Sequence, residues 1–257
     1  AAWCRFLHEH GFDVGLSIDG SQSVHDQNRL DLGGQGTWSR VSQGIARLKD
    51  AGIRPDLLCT VNAASEQAPL EVYQALRDTG SGWIQFIPIV VRRPDGTLAP
   101  ESVTPEGYGQ FLCAVFDAWL YHDLGALDVQ LFAETARIWA GGQASLCWMA
   151  PTCGRVLIVE EDGSVYSCDH FVDPEHRLGN LASARLETMA NSPAQLDFGR
   201  RKQSTLTAQC RACPWLRCCG GGCPKDRFAR SDDGEEGQYY LCQGLRMFIE
   251  HAHGPMT

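Results

Sequence analysis

"QCRACPWLRCCGGGCPKD" (209–226) holds five of the chain's twelve cysteines, with a CxxC pair at one end and three glycines near the other. A CxxC turn can aim two thiolates at one metal centre, and a run of glycines lets backbone approach a bound group closely. Upstream, the spacing is Cys147-x5-Cys153-x14-Cys168, and downstream a last cysteine follows at 242. Cys218 adjoins Cys219 and cannot easily share its geometry. The eight others, Cys147, Cys153, Cys168, Cys210, Cys213, Cys219, Cys223 and Cys242, make two sets of four. That is the count for two tetrahedral zincs or two four-iron, four-sulfur clusters, and spacing alone leaves both open. A disulfide framework belongs to small secreted domains, and no secretory signal opens this chain. Cys4, Cys59 and Cys113, the only cysteines in the first 146 residues, read as ordinary buried thiols.

The rest of the composition narrows the class. A chain of 257 residues with 44% apolar content can build a core without staples. Its net charge of −9 argues against a nucleic-acid partner, which needs a concentrated basic surface. No apolar run is long enough to span a membrane. The expectation is a cytoplasmic protein. The chain begins "AAWCRFLHEHGF" without Met, inside an apparent amphipathic helix, which suggests a fragment.

Up to about residue 140, helices alternate with short apolar strands. Strands are expected at 12–18, 56–61 and 83–90, and helices at 1–10, 37–52, 68–80 and 105–122. Val41, Ile45 and Leu48 share one helical face. Phe111, Leu112, Val115, Phe116, Trp119 and Leu120 share another. The alternation predicts βαβ units on a parallel sheet, and three strands alone would leave that sheet with an open edge. From 141 to 257 the pattern becomes irregular, with a β-hairpin at 155–169 around "EDG", Cys- and Gly-rich loops, and a terminal helix from about 243.

Taken together, "CWMAPTCG", "EEDGSVYSCDHFV", "LGNL", "CRACPWLRCCGGGCPKDR" and "YYLCQGLRMFIEH" resemble the SPASM domain of radical S-adenosylmethionine (SAM) enzymes, most closely the anaerobic sulfatase-maturating enzymes. "GLSIDGSQSVHDQNRLDLGGQGTW", "LLCTVN" and "IQFIPIV" resemble the later strands of that family's partial (β/α)6 barrel. The resemblance implies an α/β fold, with the C-terminal part of a radical SAM barrel over 1–140 and a SPASM domain over 141–257. It implies two interleaved auxiliary 4Fe–4S clusters, the first on Cys147, Cys153, Cys168 and Cys223, the second on Cys210, Cys213, Cys219 and Cys242. It makes Asp169, the residue after the third cysteine, the base that deprotonates the substrate. It gives Ser17 and Arg29 to the polar end of S-adenosylmethionine and Val90 to its adenine. His170, by contrast, reads as a solvated or packing residue, and Asp19, His25 and Asp26 as residues that order the loop.

The implied reaction is oxidation of a Cys or Ser in a sulfatase polypeptide to formylglycine, with flavodoxin or ferredoxin as external electron donor. One departure stands out. The family's CxxxCxxC motif for the radical-generating cluster does not occur, so a third cluster is expected in a missing front part, and the chain alone is expected to be inactive. Two other readings compete. One is another SPASM-type peptide modifier that forms thioether crosslinks. The other is a non-catalytic zinc or iron–sulfur electron-transfer module.

Overall fold

The computed structural model describes residues 2–256, which divide into two compact units. One unit runs to residue 136 and takes back the chain from 243 onward. The other covers 137–242.

The first unit is a βα alternation. Its helices are α1 (Ala2–Glu9), α2 (Gln22–Asn28), α3 (Trp38–Asp50), α4 (Pro69–Arg77), α5 (Pro105–His122) and most of α6 (Gln130–Trp139). Its strands are β1 (Gly15–Ser17), β2 (Asp56–Val61), β3 (Trp83–Pro88) and β4 (Asp128–Val129). They form one parallel sheet in the order β1-β2-β3-β4. Leu57 pairs with Ile84 and Val61 with Pro88, while Trp83 pairs with Asp128. Consecutive strands lie side by side because each helix returns the chain to the next position along the sheet.

β4 departs from the three-strand expectation. Its two residues carry too little periodicity to be seen in the sequence, yet they extend the sheet beyond β3. On β2, Leu57, Cys59 and Val61 are fully buried and alternate with more exposed neighbours. That is the period of a strand with one face on a core. Cys59 is thus a core thiol, which burial pushes well above its ordinary pKa.

α5 shows how the sequence sets its own ends. Thr104 caps it, its hydroxyl accepting from the Gly107 amide at 3.0 Å, and Pro105 occupies the first helical position. Phe111, Leu112, Val115, Phe116 and Trp119 are buried.

All of the last helix, α11 (Cys242–Met256), beyond Cys242 belongs to the first unit. Leu245, Phe248, Ile249 and Ala252 are buried. Phe248 packs at 5.2 Å on Phe132 and 5.9 Å on Phe116. Gly109 of α5 and Gly244 of α11 let the two backbones nearly touch. A Cβ on Gly244 would sit 2.0 Å from the Pro105 carbonyl oxygen. This apolar, close-packed face outweighs sequence adjacency to the cysteine-rich region.

The second unit has little regular structure. β5 (Ile158–Val159), β6 (Ser164–Tyr166) and β7 (Arg177–Asn180) form an antiparallel sheet, so the expected hairpin gains a third strand. Helices α7 (Leu186–Ala190), α8 (Pro193–Ser204), α9 (Ala208–Ala212) and α10 (Leu216–Cys219) follow, and then a two-stranded ribbon, β8 (Ala229–Arg230) with β9 (Glu236–Gln238). Short elements joined by cysteine-bearing loops make up most of this unit.

Candidate functional site

In the first unit the candidate cofactor residues lie along the carboxyl-terminal edge of the parallel sheet, where ligands of open α/β sheets bind. Ser17 closes β1 and is exposed, Arg29 follows α2, and Val90 lies buried just beyond β3. Arg29 forms a fork on Asp19, with Nε 2.5 Å from Oδ2 and Nη2 3.1 Å from Oδ1. Asp19 is buried and also accepts from the Thr60 amide at 2.7 Å, so it ties the arginine to β2. Two of the five guanidinium donors of Arg29 therefore go to the protein itself, and its side chain is 29% exposed.

His25 anchors the same loop. The Asp19 amide donates to its Nδ1 at 3.1 Å, which makes Nδ1 the bare nitrogen. Nε2 therefore carries the proton and donates to Thr37 Oγ1 at 3.0 Å, and the Thr37 hydroxyl donates to the Arg29 carbonyl at 2.8 Å. Burial holds the His25 pKa down, and the imidazole stays neutral. Asp26 accepts from the Trp38 amide at 2.9 Å. Asp19, His25 and Asp26 all order the loop that carries Arg29.

In the second unit none of the nine cysteines, nor any of the other three in the chain, is joined in a disulfide. Cys210, Cys213 and Cys242 all act on the Cys219 thiol, whose pKa burial in the first place pushes up to about 12. Gln238 links two of them. Its Nε2 donates to Cys242 Sγ at 2.9 Å, and its Oε1 accepts from Cys210 Sγ at 3.6 Å and from the Thr207 hydroxyl at 2.6 Å. Around the other set, Cys147 lies in the field of both Cys153 and Cys223, and Cys223 in that of Cys168. Burial pushes the Cys168 thiol up to about 12 and that of Cys223 to about 11. Cys218 is buried and accepts a hydrogen bond from the Trp139 side chain, apart from both sets. Cys219 thus lies near Cys210, Cys213 and Cys242, and Cys147 near Cys153 and Cys223.

Thiols with raised pKa values are poor nucleophiles and poor redox dithiols in the metal-free chain. Bound metal ions would supply the positive charge that their thiolates need. Four thiolates around one zinc stand about 3.8 Å apart, given bonds of about 2.3 Å. Among the described residues, the one trio of candidate ligand atoms within 4.8 Å of one another is Cys168, Asp169 and His170. Neither cysteine four is drawn as tightly as one ion requires, and a cluster of four irons spreads its ligands farther apart. Gly220, Gly221 and Gly222 have φ of 56°, 73° and 70°, three successive left-handed residues that carry the chain from Cys219 of one set to Cys223 of the other. The donor chemistry, the spread and the glycine turn fit iron–sulfur clusters.

Asp169 stands at the end of the β6 hairpin with its side chain 62% exposed. Its Oδ1 accepts from Cys168 Sγ at 3.1 Å. His170 lies between two site residues, Nε2 4.0 Å from Asp169 Oδ2 and Nδ1 3.5 Å from Cys223 Sγ, so it is not the bystander the sequence suggested.

The sequence reading also missed four residues that hold the ligand loops. Gln195 is buried and donates to the Gly154 and Ser167 carbonyls at 2.8 and 3.1 Å, next to Cys153 and Cys168. Gln238, Lys202 and Arg227 are the others. All are ordinary polar residues whose significance comes from contacts distant in sequence, which no local spacing signals.

The chain resembles known proteins along nearly its whole length. Residues 147–214 match the SPASM family, an iron–sulfur cluster-binding domain. The chain is 40% identical to the serine-type anaerobic sulfatase-maturating enzyme of Bacteroides thetaiotaomicron, over 97% of this chain and 64% of that protein. It is 31% identical to the cysteine-type enzyme of Clostridium perfringens, over 98% of this chain and 68% of that one. The chain thus spans about two thirds of the length of these relatives. A solved structure described as native anSMEcpe with bound AdoMet and Cp18Cys peptide superposes with a TM-score of 0.89 at 29% identity, covering 99% of this chain and 71% of that one. With likeness along nearly its whole length, the chain belongs to the family of anaerobic sulfatase-maturating enzymes.

Proposed function

We propose that the protein carrying this chain is a radical SAM oxidoreductase that converts a Cys or Ser of a sulfatase to formylglycine. The observation that carries this reading is 40% identity to a serine-type maturating enzyme over 97% of the chain, with Asp169 directly after Cys168 in the cysteine-rich region. The chain contains no CxxxCxxC, so radical generation is assigned to residues outside it. Cys147, Cys153, Cys168 and Cys223 would hold one auxiliary cluster, and Cys210, Cys213, Cys219 and Cys242 the other. The match of residues 147–214 to an iron–sulfur cluster-binding domain favours clusters over zinc. Ser17 and Arg29 would take the amino-acid end of S-adenosylmethionine, and Val90 its adenine. A guanidinium already fixed by Asp19 offers its remaining donors to a carboxylate in a set orientation.

Bound clusters and S-adenosylmethionine would supply the hydrogen-abstracting radical and an acceptor for the second electron. The oxidation takes two electrons and two protons from the substrate Cβ–SH or Cβ–OH. One electron leaves with a proton as a hydrogen atom from Cβ. Asp169 takes the other proton, from sulfur or oxygen. Its exposed carboxylate can reach a substrate group, and ligation of Cys168 as thiolate removes the S–H that Oδ1 accepts in the metal-free chain. Water then hydrolyses a thioaldehyde to the aldehyde and hydrogen sulfide, whereas serine yields the aldehyde directly. The relatives' structures with peptides fit a polypeptide substrate. Among the described residues no helix is long and apolar enough to cross a membrane; the reading includes a cytoplasmic setting, with flavodoxin or ferredoxin as donor.

The test is formylglycine formation by the full-length protein, reconstituted anaerobically with iron and sulfide and given Cys- and Ser-containing sulfatase peptides side by side. Asp169→Asn is expected to lower product yield by about 10²–10⁴-fold with iron content unchanged. Unchanged yield would remove Asp169 as the base. A thioether product in place of an aldehyde would assign the protein to other peptide-modifying chemistry.

A further inference from the structure

Lys202, buried, and Arg227, half-buried, carry two positive charges into the cysteine-rich unit. Lys202, on α8, is 1% exposed. Its ammonium has three N–H donors, and all three go to one turn: the carbonyls of Cys147 at 2.9 Å, Trp148 at 2.8 Å, and Ala150. Arg227 grips the glycine turn, with Nε 2.9 Å from the Gly221 carbonyl and Nη2 3.3 and 3.4 Å from those of Gly220 and Gly222. Its Nη1 donates to the Lys202 carbonyl at 2.5 Å, so the two cations share one frame.

Among the described residues neither forms an ion pair with a carboxylate. A buried charge without an opposite partner is expensive, and beyond each other and the Thr205 hydroxyl, 3.4 Å from Arg227 Nη1, these two have carbonyl dipoles and thiols around them. Burial, and then the Arg227 charge, pull the Lys202 pKa down to about 8, while Cys153, Cys147 and Cys223 act to raise it. Arg227 lies in the field of Cys210, Cys223, Cys153 and Cys219, which draws on both fours.

We infer that Lys202 and Arg227 are the internal counter-charge of the two clusters, Lys202 serving the one on Cys147, Cys153, Cys168 and Cys223, and Arg227 serving both. Four thiolates on an iron–sulfur core leave net negative charge, which grows by one on reduction. A fixed buried cation stabilises the reduced form more than the oxidised form and raises the reduction potential. The inference rests on the cluster reading above. These are positioning residues: they touch the ligand loops and act on the clusters through charge.

The experiment is a spectroelectrochemical titration, with iron and sulfide analysis, of the full-length protein and of K202M, K202R, R227M and R227K. K202M is expected to shift one auxiliary midpoint to more negative potential, R227M both, and the charge-retaining K202R and R227K to return them toward wild type. Loss of iron in the Met variants with recovery in K202R and R227K supports the same conclusion. Unshifted potentials in iron-replete Met variants overturn it, as does equal iron loss in the Met and charge-retaining variants. A wild-type protein that takes up zinc and shows no iron–sulfur absorbance sinks the cluster reading itself, and the counter-charge with it.

Discussion

His25 shows how one side chain can set the behaviour of a loop. It must accept from the Asp19 amide, so a second proton on its ring would meet a donor and break that bond. Burial holds its folded pKa below the ordinary value near 6.5. In the unfolded chain the ring takes up a proton as pH falls through that value, while in the folded chain it resists. The stabilisation is therefore complete above about pH 6.5 and declines below it, by at most about 1.4 kcal/mol per pH unit. Melting temperatures measured between pH 7.5 and 5 should fall less steeply for His25→Gln than for wild type. Parallel slopes would show that another group dominates the acid response. The sequence offered His25 only as one of several loop-ordering residues, because the amide and hydroxyl that fix its tautomer come from six and twelve positions away.

Among the elements, those with strong periodicity were legible. β2 spans 56–61 and α5 spans 105–122, as the alternating and helical patterns predict, since each has one apolar face long enough to repeat. β4 and β7 were not, because two and four residues cannot show a period. The glycine turn was recognisable as permissive, but the reason each glycine is needed lies in its neighbours. A Cβ on Gly222 would lie 2.3 Å from Tyr239 Cγ, at a φ of +70°. Gly222→Ala should cost about 2–5 kcal/mol, combining left-handed strain with overpacking. Gly234, at φ +88° with nothing within 4 Å, is the control: Gly234→Ala should cost only the backbone part, about 1–2 kcal/mol. Denaturant unfolding of the two reconstituted variants distinguishes these outcomes, and equal losses would mean that the turn has room to relax.

For the whole molecule, the two units differ in what holds them together. The first has a continuous apolar core from β2 through α5 to α11, including the Phe116, Phe132 and Phe248 rings. The second has short elements and raised-pKa thiols that need a cationic partner. Removing iron by chelation should abolish hydrogen-exchange protection over 137–242 first and leave β2, β3 and α5 largely protected. Equal loss in both units would show that the cysteine-rich part contributes no independent metal-linked stability. The division of labour was visible in the sequence as the crowding of cysteines after residue 146. The return of the last helix to the first unit was not, since only packing partners distant in sequence reveal it.

The crossing of the two cysteine fours also has a bearing on biogenesis. In the proposed division Cys223, of the first four, lies between Cys219 and Cys242 of the second, so neither set would be completed from a contiguous stretch of chain. As the protein leaves the ribosome, the first four cannot close until the glycine turn has emerged, and by then three members of the second are already waiting for Cys242. Completion of either proposed four is thereby deferred until most of the cysteine-rich region has been made.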